Sequence, residues 1–387
     1  MTGVGLTIAA GAAMAAERPK IQGFEDTGSD TADDRIWTPV SDRKIKMGIV
    51  GFGVCRFGAD FSFQDHPNVE VVAVSDLFPD RCKNLAQACR CSKTYPSLEE
   101  MLAKDREIEA VFVATDAPSH ARHCIDVLNH GKHVCVAVPA VFGNLEEADH
   151  LFETVKSSGL NYMMMETSAY HEDCHAERII YNAGGFGKMI YTEGEYFHYG
   201  EKGIGSYKNW RDGLPPQWYP THGNAYYTAV TGGSFTEVSC MGIPSHLARL
   251  RNGDNAYNNE FATEIALMRT SEGGMARMGR SSDTPGHQGE MGRVRGELGS
   301  MSGMNYQGKF DVSTLDLRRP CLPPGVKPGG HGGSHGQLSN EFVHAILEER
   351  NPLVHVGWSL NMTVAGVVAH TSALKDGELL KILQYSF

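Results

Sequence analysis

The chain of 387 residues has a hydrophobic fraction of 41% and a formal net charge of −11 at pH 7. This length and composition predict large buried cores divided between two domains, and no stretch is apolar enough to span a membrane. The negative charge disfavours a nucleic-acid or anionic-membrane partner, because either would require a basic face. The expected partner is therefore a small molecule.

Two segments precede the first predicted domain. Residues 3–16 form a short apolar run that ends in Ala-Met-Ala, the small-residue spacing of a signal-peptidase site. This pattern predicts a signal-like segment over residues 1–16 and an exported, periplasmic protein; the alternative is the N-terminal arm of a cytoplasmic protein. Residues 17–44 are polar and rich in Asp, Gly and Pro, which is typical of an extended arm.

The nine cysteines are scattered singly, which is not the pattern of a disulfide framework. Cys89-x-Cys91 has no second pair at metal-ligand spacing. No metal site is therefore predicted.

A glycine-rich turn after the first apolar strand organises the first domain. Gly51 and Gly53 directly follow this strand. Glycines are needed there because the chain turns sharply and a pyrophosphate must approach its backbone. The pyrophosphate would then lie on the N-terminus of the next helix. Arg56 stands at the third glycine position of G-x-G-x-x-G. The next strand, Val69–Ser75, ends on Asp76, a carboxylate where the adenosine ribose hydroxyls should lie. These features predict a dinucleotide-binding unit; a nucleotide-free domain with an ordinary glycine turn is the alternative.

Strands and helices alternate after Asp76, as in a doubly wound parallel sheet. The predicted helices are Pro79–Cys91, Leu98–Lys104, His120–Asn129 and Leu145–Ser158, and the predicted strands are Ala110–Thr115, His133–Val138 and Asn161–Met165. The carboxyl ends of these strands share one edge, where such a sheet binds ligands.

The order of motifs resembles the Gfo/Idh/MocA family, named for glucose-fructose oxidoreductase and inositol dehydrogenase. The matching stretches are GIVGFG, VSD and VATDAPSHARHCIDVLNHGKHV, then a proline, within a resemblance that runs over residues 45–385. It implies an α/β fold with an N-terminal Rossmann domain (45–165) built on a doubly wound parallel sheet. It also implies a C-terminal α+β domain (166–387) with a large, mainly antiparallel sheet, whose free face commonly joins subunits into a homo-oligomer.

The same resemblance implies NAD as cofactor, with NADP as the alternative, and a carbohydrate substrate. The implied cofactor-binding residues are Gly51, Phe52, Gly53, Val54, Cys55, Asp76, Thr115, Pro118, His120 and Ala137. Asp76 should repel a 2′-phosphate and so favour NAD, although Arg56 or Arg81 could pair with such a group. In the family, the strand that ends the G-K-H-V segment carries the sequence Glu-Lys-Pro, and its lysine works beside the substrate carbonyl. Here these positions read Ala137-Val138-Pro139, so the acid and the lysine are both absent.

These departures resemble one subgroup, glycoside hydrolase family 109, which uses bound NAD to oxidise a sugar transiently before elimination and hydration. That subgroup has valine for the lysine, a Tyr-Pro-Thr-His-Gly stretch matched from Tyr219 onward, and Glu-x-x-x-Tyr matched by Glu166 and Tyr170. The resemblance implies catalytic roles for Tyr170, Tyr219 and His222. The Glu-Val-Pro sequence of that subgroup is Ala-Val-Pro here. The role of its glutamate is therefore either vacant or filled by another residue.

The second domain is predicted to begin near Glu166 with a helix over Ser168–Ala183. Alternating apolar and polar residues then favour an antiparallel sheet with one face packed on helices. The predicted strands are Lys188–Tyr199, Phe235–Met241, Phe261–Thr270, Gly274–Arg280, Met291–Gly299 and Phe310–Leu317, and the predicted helices are Asn224–Val230, Gln337–Glu349 and Leu360–Leu374.

Four side chains are predicted to carry the chemistry beside the nicotinamide. His222 is the expected base, a neutral imidazole that accepts a hydroxyl proton, while Tyr219 bonds to the same oxygen. Their loop is rich in tryptophan and tyrosine, suited to stacking on a pyranose ring. Tyr170 and His335 are the further candidates. For all four, the alternative is a packing or loop residue.

Three functions are compatible with the sequence. The favoured one is an NAD(P)-dependent oxidoreductase that transfers a hydride at a secondary alcohol of a sugar or sugar derivative. The alternative is an NAD-dependent glycoside hydrolase that recycles its cofactor without net redox change. The second alternative is a non-catalytic sugar- or nucleotide-binding protein, since a fold does not fix a function.

Overall fold

The structure, a computed structural model, describes residues 35–250 and 255–387. The predicted signal-like segment over 1–16 and most of the predicted arm lie outside the described residues. A six-stranded, fully parallel sheet comes first, in the order β3-β2-β1-β4-β5-β6. Its strands are β1 (Ile45–Val50), β2 (Val69–Ser75), β3 (Thr94–Tyr95), β4 (Ala110–Val113), β5 (His133–Val136) and β6 (Tyr162–Met164).

Helices alternate with these strands, and the central strands are buried on both faces, which explains their unbroken apolar runs. The helices are α1 (Phe57–Asp60), α2 (Pro79–Ala88), α3 (Leu98–Lys104), α4 (His120–Asn129) and α5 (Leu145–Ser158). Two of them begin at a side-chain cap: Ser97 accepts from the N–H of Glu100, and Asn144 accepts from the N–H of Glu146. The doubly wound part of the predicted fold class is confirmed.

The second sheet has eight strands in the order β13-β12-β11-β7-β10-β9-β8-β14, and only β7 and β10 pair in parallel. The strands are β7 (Met189–Phe197), β8 (Phe235–Pro244), β9 (Phe261–Thr270), β10 (Met275–Ser281), β11 (Gly289–Gly296), β12 (Gly299–Ser302), β13 (Asn305–Gly308) and β14 (Leu380–Lys381). Along β9, Ala266 and Met268 are buried while Leu267 and Arg269 are exposed. The sheet therefore has an inner face and an open face, as its alternation predicted.

Four helices accompany this sheet: α6 (Glu172–Asn182), α7 (Thr221–Thr231), α8 (His335–Leu347) and α9 (Val356–Ala373). Every residue of α7 from Thr221 to Val230 is buried. Helix α9 packs against both β8 and α5, and the N–H of Met164 donates to the carbonyl of Val354 at 3.1 Å. The end of the chain thus ties the two sheets together. Within the described residues, no helix has the length and apolarity that a membrane crossing needs.

Two predicted elements differ from the structure. The stretch Phe310–Leu317 is not a strand, because Asp311 accepts from the N–H of Ser313 at 3.1 Å and starts a short 3-10 helix, a local bond that competes with sheet pairing. The sheet edge is formed instead by β12 and β13, whose Gly- and Ser-rich sequence carries little strand signal. The predicted helix over Ser168–Ala183 is interrupted at His171, which has an extended backbone with ψ 147°.

Candidate active site

A large cleft lies at the carboxyl ends of the strands of the first sheet, where a doubly wound sheet binds ligands. Its volume is about 910 Å³. The first wall consists of the glycine turn after β1, Asp76 after β2, Thr115 after β4 and Ala137 after β5. The second wall consists of residues 205–211 and Tyr219, from the later half of the chain. The cleft is therefore enclosed by both parts of the chain.

The two glycines of the turn have different surroundings. Gly51 has φ +102°, and a Cβ built there would lie 2.3 Å from the carbonyl oxygen of Ala114, so only glycine fits. A Cβ built on Gly53 would meet no protein atom within 4 Å, so the backbone at Gly53 borders open space. The turn therefore leaves room for a pyrophosphate beside its backbone.

The helix after this turn is shorter than the sequence suggested. Helix α1 is a single turn, preceded by Arg56 at φ 54°, in the left-handed region that a glycine would adopt without strain. A single turn has little of the dipole that favours an anion at a helix N-terminus. The backbone of the glycine turn is therefore the better candidate for that contact.

Asp76 holds the glycine turn in place. One carboxylate oxygen accepts from the N–H of Phe52 at 2.7 Å, and the other accepts from the N–H of Phe78 at 2.8 Å. Arg81 also lines the cleft here and lies 4.4 Å from the centre of the Phe78 ring. Each Asp76 oxygen keeps a second lone pair, which a ribose hydroxyl can use. The residues around the turn fit an adenine dinucleotide.

Nine of the ten predicted cofactor-binding residues line the cleft, namely Gly51, Phe52, Gly53, Val54, Cys55, Asp76, Thr115, His120 and Ala137. Pro118 is not among the lining residues. His120 connects two strand ends, since its ring nitrogens lie 2.8 Å from the carbonyl oxygen of Pro139 and 3.3 Å from that of Thr115. Burial lowers the pKa of His120, so it is suited to a neutral, positioning role.

The second wall supplies a cation, Arg211, to the same cleft that Val138, at the position of the missing lysine, also lines. The Arg211 guanidinium lies 4.2 Å from the centre of the Trp210 ring, and its Nη2 lies 3.8 Å from the sulfur of Cys55. Arg211 lies in a loop without a recognisable motif, so the sequence does not single it out.

Tyr219 lines the cleft, and His222 lies directly behind it. Their ring centres are 5.6 Å apart, and the His222 ring is also edge-on to Tyr196 at 4.6 Å. His222 is 2% exposed and is not among the lining residues. Burial raises the pKa of Tyr219 to about 12. Tyr219 therefore remains a neutral hydroxyl at the surface of the cleft.

His222 is held between two buried carboxylates. Its Nδ1 lies 2.8 Å from Oε1 of Glu166 and 3.5 Å from Oε1 of Glu290. Burial lowers the pKa of His222, but the two carboxylates outweigh it and the net shift is upward. The surroundings therefore favour the imidazolium more than they do for an ordinary histidine.

Glu290 is the centre of a cluster that the sequence did not predict. Its carboxylate lies 2.6 Å from Nδ1 of His331 and 3.1 Å from Nε2 of His171, in addition to His222. These partners offset burial and hold the pKa of Glu290 well below its usual range. No spacing pattern connects the members, which come from β11, α7 and two loops. Among the described residues, no group of His, Cys, Asp or Glu has metal-binding geometry.

The structure does not bring Tyr170 and His335 to the cleft. Tyr170 is stacked on His175 with 6.1 Å between ring centres. His335 is stacked on Phe61 at 4.2 Å, and burial lowers the pKa of His335 to about 3. These surroundings match the packing alternative for both side chains.

The aromatic residues before Tyr219 divide between the cleft and the core. Trp210 lines the cleft. Trp218 does not, because it packs against Phe142 at 5.3 Å and Tyr257 at 5.4 Å. Of the two tryptophans, only Trp210 is therefore available to stack on a sugar.

Comparisons with known proteins agree with this architecture. Residues 45–166 match the profile of the Gfo/Idh/MocA family, described as an oxidoreductase family with an NAD-binding Rossmann fold. A glycosyl hydrolase family 109 protein of Bacteroides fragilis is 30% identical over 163 residues, which is 40% of this chain but only 35% of that relative. Another from Bacteroides thetaiotaomicron is 24% identical over 335 residues, covering 80% of this chain and 70% of the relative.

Solved structures share the fold along most of the chain. Apo scyllo-inositol dehydrogenase from Lactobacillus casei has a TM-score of 0.69 at 17% identity, covering 88% of this chain and 99% of its own. Levoglucosan dehydrogenase in complex with NADH and levoglucosan has a TM-score of 0.71 at 15% identity, covering 89% and 100%. At such identities the likeness shows the fold alone. The predicted α/β fold with a second, mainly antiparallel sheet is confirmed, and residues 45–166 match the Gfo/Idh/MocA family of oxidoreductases.

Proposed function

We propose that this protein is an NAD(H)-dependent oxidoreductase that acts on a secondary alcohol of a sugar or sugar derivative. The observation that carries this proposal is the pairing of two walls in one cleft: a glycine turn with Asp76 on one side, and Tyr219 backed by a buried histidine on the other. Solved structures with this fold include scyllo-inositol dehydrogenase and levoglucosan dehydrogenase, and the proposal carries over their class of substrate.

In this proposal the first wall holds the dinucleotide. The backbone at Gly53 and the neighbouring turn receive the pyrophosphate, and Asp76 accepts from the adenosine ribose. Ala137 and Val138 would border the nicotinamide, which would supply the acceptor for the hydride of the alcohol carbon. NADP is disfavoured, because a 2′-phosphate would lie beside the Asp76 carboxylate.

The second wall handles the proton in this proposal. The Tyr219 hydroxyl bonds to the reacting oxygen and stabilises the charge that develops on it. Because His222 lies behind Tyr219, it takes the proton through the Tyr219 hydroxyl when the carbonyl forms and returns it by the same route in the reverse direction. Glu166, 2.8 Å from Nδ1, orients the ring and stabilises the imidazolium. Tyr170 and His335 have no role in this scheme.

Incubation of the purified protein with NAD⁺ and a panel of free sugars and cyclitols tests the proposal, with NADH absorbance as the measurement. We expect steady NADH formation with at least one sugar and its loss in the His222→Ala variant. Tight NAD binding without NADH formation on any sugar or cyclitol would contradict it.

A hydrolase is the second candidate, because the curated relatives carry the name of glycosyl hydrolase family 109 and the Tyr-Pro-Thr-His-Gly stretch is present. The same cofactor site and base would serve, with departure of an aglycone between oxidation and reduction. Release of nitrophenol from nitrophenyl glycosides, without accumulation of NADH, distinguishes it from the dehydrogenase.

We also propose that two copies associate through the open face of the second sheet. This face carries Met241, Leu267 and Met291, each at least half exposed, beside an ion-paired group of Glu193, Arg277 and Arg293. Light scattering of the purified protein measures the oligomeric state. Export through residues 1–16 remains a separate proposal, tested by sequencing the N-terminus of protein from native cells.

A further inference from the structure

Arg280 is a buried cation that forms no ion pair with an acid in the part of the chain that the structure describes. It lies on β10 and is 8% exposed, and its Nε has no hydrogen-bond partner. No ion pair to its guanidinium is found in residues 35–250 and 255–387. Its closest described support is the ring of Tyr196, whose centre lies 5.8 Å away. A cation–π contact holds the group in position but leaves its N–H donors unused.

The acids beside Arg280 are engaged elsewhere. On the inner face of the sheet, Glu264 stands opposite Arg280 on the neighbouring strand, and Tyr196 separates Arg280 from Glu290. Glu264 binds His370 at 2.6 Å and the N–H of Gln217 at 2.8 Å. Glu290 is bound by histidines, as described above. Burial lowers the pKa of Arg280, as expected for a cation that is not neutralised, and an incoming anion would relieve this.

Arg280 borders a small cavity that adjoins the large cleft. The small cavity has a volume of about 50 Å³ and shares Arg211 and Tyr219 with the cleft. This volume holds a few waters or one carboxylate, and not a sugar ring. Arg211 also has no carboxylate partner among the described residues. A third lining arginine, Arg249, differs because it is bound to Asp212 at 3.1 Å and to backbone carbonyls.

We propose that the sugar accepted here is anionic, with its charged substituent bound between Arg280 and Arg211 while its ring lies in the large cleft. The inference rests on the proposed function and narrows its substrate class. A carboxylate is the best match, because the planar guanidinium fork receives it through two parallel bonds. Tyr219 lines both spaces, so the reacting carbon and the anion would lie on either side of it.

Matched pairs of ligands test this proposal on the full-length protein loaded with NADH. Glucose, galactose and mannose are compared by calorimetry with their uronic acids, and sugar 6-phosphates and 6-sulfates form further arms. Turnover of the same sugars with NAD⁺ is measured in parallel. We expect at least one anionic sugar to bind more tightly than its neutral partner, and the arm with the highest affinity identifies the anion.

In the Arg280→Gln variant, the ratio of the affinities for the anionic and the neutral sugar should fall by roughly 10- to 100-fold, because hydrogen bonds between charged groups are removed. Arg280→Lys should restore part of it. Arg277→Gln, on the open face of the same strand and paired with Glu193, is the matched control and should keep the preference. Since an unpaired buried cation is removed, Arg280→Gln should not lower the melting temperature, whereas a purely structural arginine would.

The outcomes separate this inference from the function on which it rests. Neutral sugars bound as tightly as their acids, or an unchanged preference in Arg280→Gln, would overturn the anion site even if dehydrogenation is observed. Binding of acids that depends on Arg280, without any turnover, would support the anion site and refute the oxidoreductase.

Discussion

The two walls of the cleft are built from different kinds of groups. The first wall presents the backbone of the glycine turn and the small side chains of Thr115 and Ala137, and its Asp76 carboxylate is occupied by two backbone N–H groups. The second wall presents side chains that carry or exchange charge, namely Arg211, Tyr219 and the buried His222 behind it. The first wall is suited to holding a large cofactor in one place, and the second to chemistry and recognition.

The largest expected effect lies on the second wall. His222→Ala removes the proposed base and should lower turnover by roughly 10² to 10⁴. Because His222 does not line the cleft, the affinity for NAD⁺ should stay near the wild-type value. Turnover kinetics and calorimetry on the same preparation measure both quantities.

His66 provides the matched control for that variant. It is also a buried histidine, 2% exposed and 3.2 Å from Asn340, but it lies away from the cleft. His66→Ala should therefore keep turnover per folded molecule. Near-wild-type turnover in His222→Ala would remove the distinction between the two walls.

How far the sequence predicts each wall depends on how local its signals are. The glycine turn and Asp76 are 25 residues apart and belong to one strand-helix-strand unit, so a pattern identifies them. Glu166, His222 and Glu290 are brought together only by the fold. In the sequence, Glu290 of β11 has no feature that distinguishes it from other strand residues. Its role is evident only from the fold, which places His331 against its carboxylate.

The same reasoning explains why Tyr170 and His335 lie outside the cleft. Their prediction rests on a motif and on a histidine-containing glycine loop, and neither feature determines the direction of a side chain. Ala276, Met278 and Arg280 alternate along β10 and share its buried face. A charged side chain at a position that alternation assigns to the interior is a signal of function.

A smaller effect is expected from Glu290→Gln. It removes one of the two carboxylates that raise the pKa of His222, so that pKa should fall. Oxidation needs the unprotonated imidazole, and its rate should therefore rise with pH through the pKa of His222. The rise should occur at lower pH in the variant, with maximal turnover reduced by about tenfold or less.

Profiles of kcat against pH, in both reaction directions, measure this shift. Reduction should show the opposite slope, since it needs the imidazolium. As the control, Glu264→Gln removes another buried carboxylate of the same sheet, which pairs with His370 of α9. It should leave the midpoint of the pH profile unchanged. A midpoint unchanged in Glu290→Gln would show that the cluster does not tune His222.

On the first wall, the cofactor preference should be moderate. NAD should bind at least about tenfold more tightly than NADP, because the 2′-phosphate would lie close to the Asp76 carboxylate in a partly desolvated cleft. Arg81 borders the same end, so Arg81→Ser should weaken NADP without affecting NAD. Calorimetric titration with both cofactors measures this, and tighter binding of NADP would contradict the assignment of Asp76.

The smallest effect on the folded protein is expected at Gly53, and the contrast with Gly51 tests the first wall directly. A methyl group at Gly53 meets no protein atom, so Gly53→Ala should change the free energy of unfolding by less than about 1 kcal/mol. It should still weaken NAD binding severalfold, because the added methyl group occupies space beside the backbone that the pyrophosphate needs.

Gly51→Ala should instead destabilise the protein by at least about 2 kcal/mol, since the methyl group clashes with the carbonyl of Ala114 at φ +102°. Thermal unfolding without cofactor measures the first quantity and calorimetry the second. If Gly53→Ala bound NAD as the wild type does, the pyrophosphate would have to lie elsewhere, and the first wall would lose its proposed role.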